Sequence, residues 1–365
     1  MTASTDTIER VLFVAHSGQV SGAEKVMLDL VGQALADGLE VRVACADGPL
    51  VDRLPATVTH IGIDHLGLTG ESGAARLVGG AKLVARWRSV GRMLAPLVTA
   101  SNTATVVNSL YALPAMRWAA GPRGVSWLVH DTAVSGRQRA VVRAATPRIR
   151  QAVAVSSATA APLRAMGVPV TVAHNGVTWP VDALPTELHD PPVVGMLALL
   201  TPWKGHMVVL DAAATVPEVE VEFAGGQFPG DIDHVGQLHV RAAASDLDGR
   251  VRFLGHTDLR AALERWDVVI SASVEPEAGP LSVLEAMAYG KPVIGTDHGG
   301  TTEFLTGGAG VLVPPGDPEA LAAAIRRVLS DPELRATMIT TARRRVADDH
   351  DLSRTLPAML AALLA

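Results

Sequence analysis

The feature that most constrains this chain is an alternation of strand and helix signals that runs through its first half, breaks at a proline-rich stretch and then starts again. RVLFVAHS (10–17) is a continuous apolar run of the kind a buried parallel strand shows. A glycine-bearing loop follows, with Gly18 and Gly22, and then a helical pattern from Ala23 to about Ala36 that Gly38 ends. EVRVACA (40–46) reads as a second strand, and TVVNSL (105–110), VSWLVH (125–130) and AVAVSS (152–157) as further strands with helices between. Residues 178–192 are rich in proline, lack periodicity and read as an interdomain linker. The alternation then resumes: VVGMLALL (193–200), VEVEFAGG (219–226), VRFLG (251–255), DVVISAS (267–273), PVIGT (292–296) and GVLVPPGD (310–317) are strand signals. HMVVLDAAATV (206–216) and LRAALERW (259–266) are helical ones.

Such alternation implies doubly wound parallel sheets. The expected fold class is therefore α/β, with two Rossmann-like domains facing across a cleft. The expected boundaries are 1–182, 183–345, and a closing helix in 346–365 that packs back on the first domain. The length of 365 residues suits two domains, and 48% hydrophobic with 19% charged residues suits substantial cores. No run of 18 or more uncharged apolar residues occurs, so no spanning helix is expected. The start, MTASTDTIERVLFVAH, has Asp6 and Glu9 ahead of the apolar run and no cationic region, which reads as a first strand rather than a signal peptide. The single Cys45 lies in a strand-like run and is expected to be a buried, inert thiol, which fits the cytoplasm.

The net charge of −6 is unevenly spread. Residues 1–188 hold 17 Lys+Arg against 13 Asp+Glu, and residues 189–365 hold 14 against 24. Two basic runs, 75–92 and 136–150, read as a solvated face, or else as a surface for a phosphate-bearing acceptor or for peripheral contact with an anionic membrane. No stacking aromatics interleave with their arginines, so nucleic acid is not an expected partner.

The stretch from Glu275 to Glu303, EPEAGPLSVLEAMAYGKPVIGTDHGGTTE, carries the chemistry. Pro280 suits the first turn of a helix, where its missing N–H costs nothing. The free amides of Leu281 and Ser282 then point from the positive end of the helix dipole, an anion site suited to a diphosphate. Glu285, one turn in, can accept hydrogen bonds from a ribose diol, and Glu277, in the preceding loop, can reach sugar hydroxyls. A surface acid and a helix-start acid would be the plain alternative for this pair, but the Gly290-Lys291-Pro292 strand entry and the Gly299-Gly300 turn that follow argue against it.

The stretch closely resembles the donor-sugar site of the retaining GT-B glycosyltransferases of group 1. The resemblance extends over nearly the whole chain. Ser21-Gly22-Ala23-Glu24 looks like the family's GGAE loop, where Gly22 would let the backbone approach a ligand. His130 ends a strand at the place where the family contacts the transferred sugar. Asn175-Gly176-Val177 matches its NGV turn, and Thr201–His206 looks like its P-x-K-G loop, with Lys204 carrying a charge to the diphosphate. Val251–Gly255 and His256 sit where the family holds the base through backbone contacts, chiefly at Leu254 and His256. Gly299, Gly300 and Glu303 match GG-x-x-E, with Glu303 also readable as a cap of a following helix.

The resemblance implies Glu277, Lys204 and His130 as the catalytic group. It implies Glu285, Gly279, Leu281, Ser282, Leu254, His256 and Gly22 as donor-binding. It implies no metal and no cofactor, a nucleotide-sugar donor with UDP favoured, and a small-molecule or lipid-linked hydroxyl acceptor. In this family the leaving phosphate serves as base, so no enzymic base is expected. The chain departs from the pattern at Leu199, where most relatives place an Arg beside the Lys, and at Glu277-Ala-Gly-Pro, where many read E-G-F-G. Unless Arg252 or a basic run replaces it, the lost Arg leaves open a donor bound less tightly, a pseudoglycosyltransferase or phosphorylase on the same fold, or a non-catalytic nucleotide- or glycan-binding subunit.

Overall fold

The computed structural model describes residues 8–67, 74–119, 121, 124–132 and 135–365. Residues 1–7, the head of the segment read as a first strand and not a leader, lie outside them. The described chain divides into two compact units, 1–175 with 354–365, and 176–353.

The first unit holds a seven-stranded sheet of β1 (Arg10–Val14), β2 (Glu40–Cys45), β3 (Thr59–Gly62), β4 (Thr103–Val107), β5 (Val125–Val129), β6 (Ile149–Ala154) and β7 (Val170–Val172). All pairings are parallel, in the order β3-β2-β1-β4-β5-β6-β7. The second holds β8 (Val193–Leu197), β9 (Glu220–Ala224), β10 (Val251–Gly255), β11 (Val268–Ser271), β12 (Val293–Thr296) and β13 (Val311–Val313), parallel in the order β10-β9-β8-β11-β12-β13.

Helices cover both faces of such sheets, so their strands must be apolar on both sides. The second unit shows this with a period of two. Val194, Met196, Ile270 and Ile294 enter one core, and Val193, Val269 and Val293 enter the core on the opposite face. Gly195 breaks the β-branched run for a steric reason: a Cβ there would lie 1.8 Å from the Trp266 ring. That ring is fully buried, and its indole N–H donates to Glu222 at 3.0 Å.

Strand positions read from the sequence hold, with ends shifted by up to four residues. β4 stops at Val107, which places Asn108, Ser109 and Leu110 beyond the strand. β3 and β7 carry no strong sequence signal, whereas the helix Ile232–Ala242 is amphipathic, with Val235 and Leu238 buried, and the sequence reading passes over it. The 178–192 stretch is irregular but tied to the second unit. Arg343 donates to Val181 O and lies over the Trp179 ring, Leu184 N–H donates to Tyr289 O, and Lys291 Nζ donates to Pro185 O. The unit boundary accordingly falls at 175/176, ahead of the proline-rich stretch, and the later one at 353/354. The helix Leu352–Leu364 ends on donors of the first sheet: Ser126 Oγ, Arg150 and Gln151 serve its last carbonyls, which have no partners within the helix. Arg150 is therefore spent on structure rather than on a basic surface.

In each sheet the order reverses once, between β1 and β4 and between β8 and β11. The crevice at the carboxyl ends of strands at such a switch point is where open α/β sheets bind ligands.

Candidate functional site

At the second switch point, the loop after β8 carries Lys204 and the loop after β11 carries Glu277. Lys204 Nζ lies 2.6 Å from Glu277 Oε2, both side chains largely buried. The other oxygen, Oε1, accepts from Ser273 Oγ. Backbone contacts hold both loops in register: Val274 N–H donates to Trp203 O at 2.8 Å, and Gly300 N–H to Glu277 O at 2.7 Å. Three glycines make this approach possible. Gly205 has φ +79° and a Cβ there would lie 2.0 Å from Ala272 O; Gly299 has φ +61° with Glu277 O at 2.3 Å; Gly300 would meet Ala278 O at 2.3 Å. Gly299 and Gly300 thus open the helix Gly299–Leu305, and Glu303 lies inside that helix rather than capping one.

The helix Leu281–Ala288 begins beside this pair with Pro280 as its N-cap and no side-chain cap. Its ladder starts with Val283 and Leu284 donating to Pro280 O, so the ladder does not use the amides of Leu281 and Ser282. Glu285 lies one turn in and is mostly buried. Leu254 lies near the end of β10 and His256 just past it, where Gly225 N–H donates to Gly255 O and His256 is exposed. Leu199 sits against Gly226 in the same group of loops. Arg252 does not replace the missing Arg: it pairs with Glu220 at 2.9 Å and Glu222 at 3.3 Å, in mid-strand. Among the described residues no three His, Cys, Asp or Glu side chains converge as a metal site.

The first switch point has different chemistry. Asn108 Nδ2 donates to Ala23 O at 3.3 Å, which turns its Oδ1 toward His130 Nε2 at 3.2 Å. Nε2 must then carry the proton, and Nδ1 is left as a lone-pair acceptor. Burial lowers the His130 pKa to about 4, so the ring is neutral at pH 7. Next to it, burial raises the Asp131 pKa; the Leu110 amide opposes this and Glu24 adds to it. Glu24 is itself buried and accepts from Ser21 N–H at 3.0 Å and Ser21 Oγ at 2.6 Å, which fixes the start of the helix Gly22–Ala36. A Cβ on Gly22 would meet nothing within 4 Å.

Sequence reading missed the residues that hold the named ones: Ser273 behind Glu277, and Asn108 behind His130. Both are polar residues just past an apolar strand, and that position was the available signal.

Residues 184–345 match the family model described as glycosyl transferases group 1. Those residues are a group 1 glycosyl transferase domain. The match contains Lys204, Glu277, Glu285 and the glycines that support them. The chain is 35% identical over 153 residues to a phosphatidyl-myo-inositol mannosyltransferase of Mycolicibacterium smegmatis, covering 40% of this chain and 38% of that protein. It is 37% identical over 191 residues to a glycogen synthase of Mycobacterium tuberculosis, covering 50% and 45%. The matched stretch thus spans about two-fifths of the length of these relatives. Over the whole chain the architecture is that of the GT-B glycosyltransferases. Anabaena HepE in complex with UDP and glucose has a TM-score of 0.81 at 25% identity, over 97% of this chain and 99% of that one. Sucrose-phosphate synthase from Thermosynechococcus elongatus has a TM-score of 0.79 at 19% identity, over 97% and 98%.

Proposed function

We propose that the protein is a retaining glycosyltransferase that moves a sugar from a nucleoside-diphosphate sugar, UDP favoured, to a hydroxyl acceptor. The observation that carries this reading is the Lys204–Glu277 pair at 2.6 Å, set beside the start of the Leu281–Ala288 helix within the group 1 domain. A cation and two first-turn amides suit a diphosphate, and a carboxylate freed from the cation suits sugar hydroxyls. Donor binding would exchange the internal ion pair for Lys204–diphosphate and Glu277–sugar contacts, so neither buried charge is left alone.

In the reaction, the anomeric carbon–oxygen bond to the diphosphate breaks and the bond to the acceptor oxygen forms on the same face. The acceptor's proton goes to the leaving phosphate. Lys204 and the amides of Leu281 and Ser282 act as charge builds on that phosphate, the step at which a fixed cation accelerates transfer. Glu285 holds the ribose, the backbone at Leu254 and His256 the base, and His130 Nδ1 accepts from a sugar hydroxyl. The acceptor is a small molecule or lipid-linked, in a bacterial cytoplasm, and the basic runs of the first unit are the surface for a membrane-held one. No helix among the described residues is long and apolar enough to cross a membrane.

Leu199 and the committed Arg252 favour one second reading: a donor site with a single cation that serves a pseudoglycosyltransferase or phosphorylase. Incubation with UDP-glucose and candidate acceptors, with products identified by NMR, tests both. Glycosides with the donor's anomeric configuration support the first reading. Inverted glycosides, or sugar phosphates formed from inorganic phosphate, contradict it.

A further inference from the structure

The helix Ile232–Ala242 follows β9 and turns an apolar face to solvent that nothing in the chain covers. Its inner face is an ordinary one: Val235 and Leu238 enter the core of the second unit. On its outer face Ile232 is 60% exposed and Val240 76%, the two most exposed large apolar side chains among the described residues. Single exposed side chains of this kind need no explanation, but these two lie eight residues apart on one face, with Gly236 midway between them. Asp233, His239 and Ala243, all exposed, complete that face.

Gly236 has no use within the chain. A glycine inside an exposed helix destabilises it relative to alanine. At Gly195, Gly205 and Gly300 a Cβ would strike a neighbour, whereas a Cβ on Gly236 would meet nothing within 4 Å. A second helix crossing at this point would use the missing side chain, because the side chains at a crossing set how closely two helix axes approach.

The face is also symmetric about Gly236. Four residues to either side stand Ile232 and Val240, and three residues to either side Asp233 and His239. Two antiparallel copies related by a twofold axis at Gly236 set Ile232 of each against Val240 of the other. The same axis brings Asp233 of each copy to the level of His239 of the other, and an imidazole N–H can donate to a carboxylate whether the ring is charged or neutral. The His239 ring is held by that of Phe253, with centroids 4.1 Å apart. Arg241, at the rim, is engaged by Asp211 at 2.8 Å and Asp246 at 2.9 Å, so it opposes no second copy with a free charge.

We propose that this face is a self-association surface, and that the protein forms an isologous dimer through two Ile232–Ala242 helices packed antiparallel at Gly236. One helix face is small beside the roughly 800 Å² per partner of a standard interface, so the expected dissociation constant is high, about 10–100 μM. The inference is independent of the glycosyl-transfer reading, and its test needs no nucleotide and no turnover.

Sedimentation velocity of the full chain from about 1 to 300 μM, a range that brackets that constant, should show a monomer–dimer equilibrium. Ile232→Asp and Val240→Lys should each weaken it by about tenfold or more, because each brings an unpaired charge into an apolar contact. Both changes suit the folded chain, since an acid at a helix start and a base near its end agree with the helix dipole. Combined in one chain they set acid against base at both ends of the antiparallel pair and should restore association. Val84→Asp, at an exposed apolar position of the first unit, should leave it unchanged. Gly236→Cys should give a disulfide-linked dimer on oxidation, and Cys45 is buried and does not compete. A monomer at every concentration would overturn the proposal. So would a dimer that survives both single variants, or a double variant that associates no better than either one.

Discussion

The two units share one topology and put opposite chemistry at the same place in it. At the β8/β11 switch point a cation and a carboxylate face each other at 2.6 Å, supported by three glycines that let loops touch. At the β1/β4 switch point the groups are His16, Asn108, Tyr111 and His130, and both imidazoles are held neutral by burial. A sheet's switch point supplies a crevice and nothing more; the residues just past each strand end decide whether it suits an anion or a hydroxyl. For the proposed glycosyl transfer this division would be useful, because a charged leaving group and a hydroxyl nucleophile need different surroundings.

The comparison can be broken at its charged end first. Lys204→Ala should lower kcat/KM with UDP-glucose by about 100- to 1,000-fold, the usual effect of removing one donor to a developing oxyanion. It should also destabilise the second unit, because Glu277 keeps a buried charge without its cation. Unchanged kcat/KM would remove Lys204 from the mechanism. Next, Gly299→Ala forces a side chain into a left-handed backbone and against Glu277 O. Urea unfolding should show a loss of about 2–3 kcal/mol, and activity should fall with it. Equal stability would mean that the Glu277 loop tolerates displacement.

A third test uses His206, which is fully buried with both ring nitrogens unpartnered. Burial, then His234 and Lys204, lower its pKa to about 3 from an ordinary 6.5. The unfolded chain therefore takes up a proton there near pH 6.5 while the folded chain refuses it until about pH 3. Stability is full above pH 6.5 and declines as the pH falls through that window. His206→Leu should flatten this decline, by about 2 kcal/mol at pH 5 in urea unfolding. The smallest effect is expected at the neutral end. Asn108→Leu frees the His130 tautomer and should cost about threefold to tenfold in kcat, the worth of one hydrogen bond, with UDP affinity unchanged. A matching loss of UDP affinity would contradict the assignment of His130 to the sugar.

Much of this could be read from the sequence because its signals are local. Strand runs such as Val193–Leu197 are apolar on both faces, and Pro280 before the apolar run from Leu281 suits a helix start. The spacing of Glu277, Glu285 and the Gly299-Gly300 pair singled out these loops as a candidate donor site, and the structure supplies a steric reason for those glycines. What could not be read depends on contacts distant along the chain. Asn108 meets His130 across 22 residues, Ser126 meets Leu363 across 237, and Lys204 meets Glu277 across 73. The charge of Arg252 suggested a spare cation, but only the neighbouring strand reveals Glu220 and Glu222 as its partners. The contacts of His16 with His65 and Tyr111 went unseen because the three residues come from three strand ends and form no motif.

The most direct measurement is calorimetric titration of the purified protein with UDP, GDP, ADP and TDP, repeated on Lys204→Ala and Tyr111→Ala. A preference for one nucleotide that Lys204→Ala weakens by about tenfold or more, the worth of a charge-assisted hydrogen bond, and that Tyr111→Ala leaves intact would place the donor at the charged switch point. Nucleotide binding that is absent, or insensitive to Lys204 and sensitive to Tyr111, would contradict it.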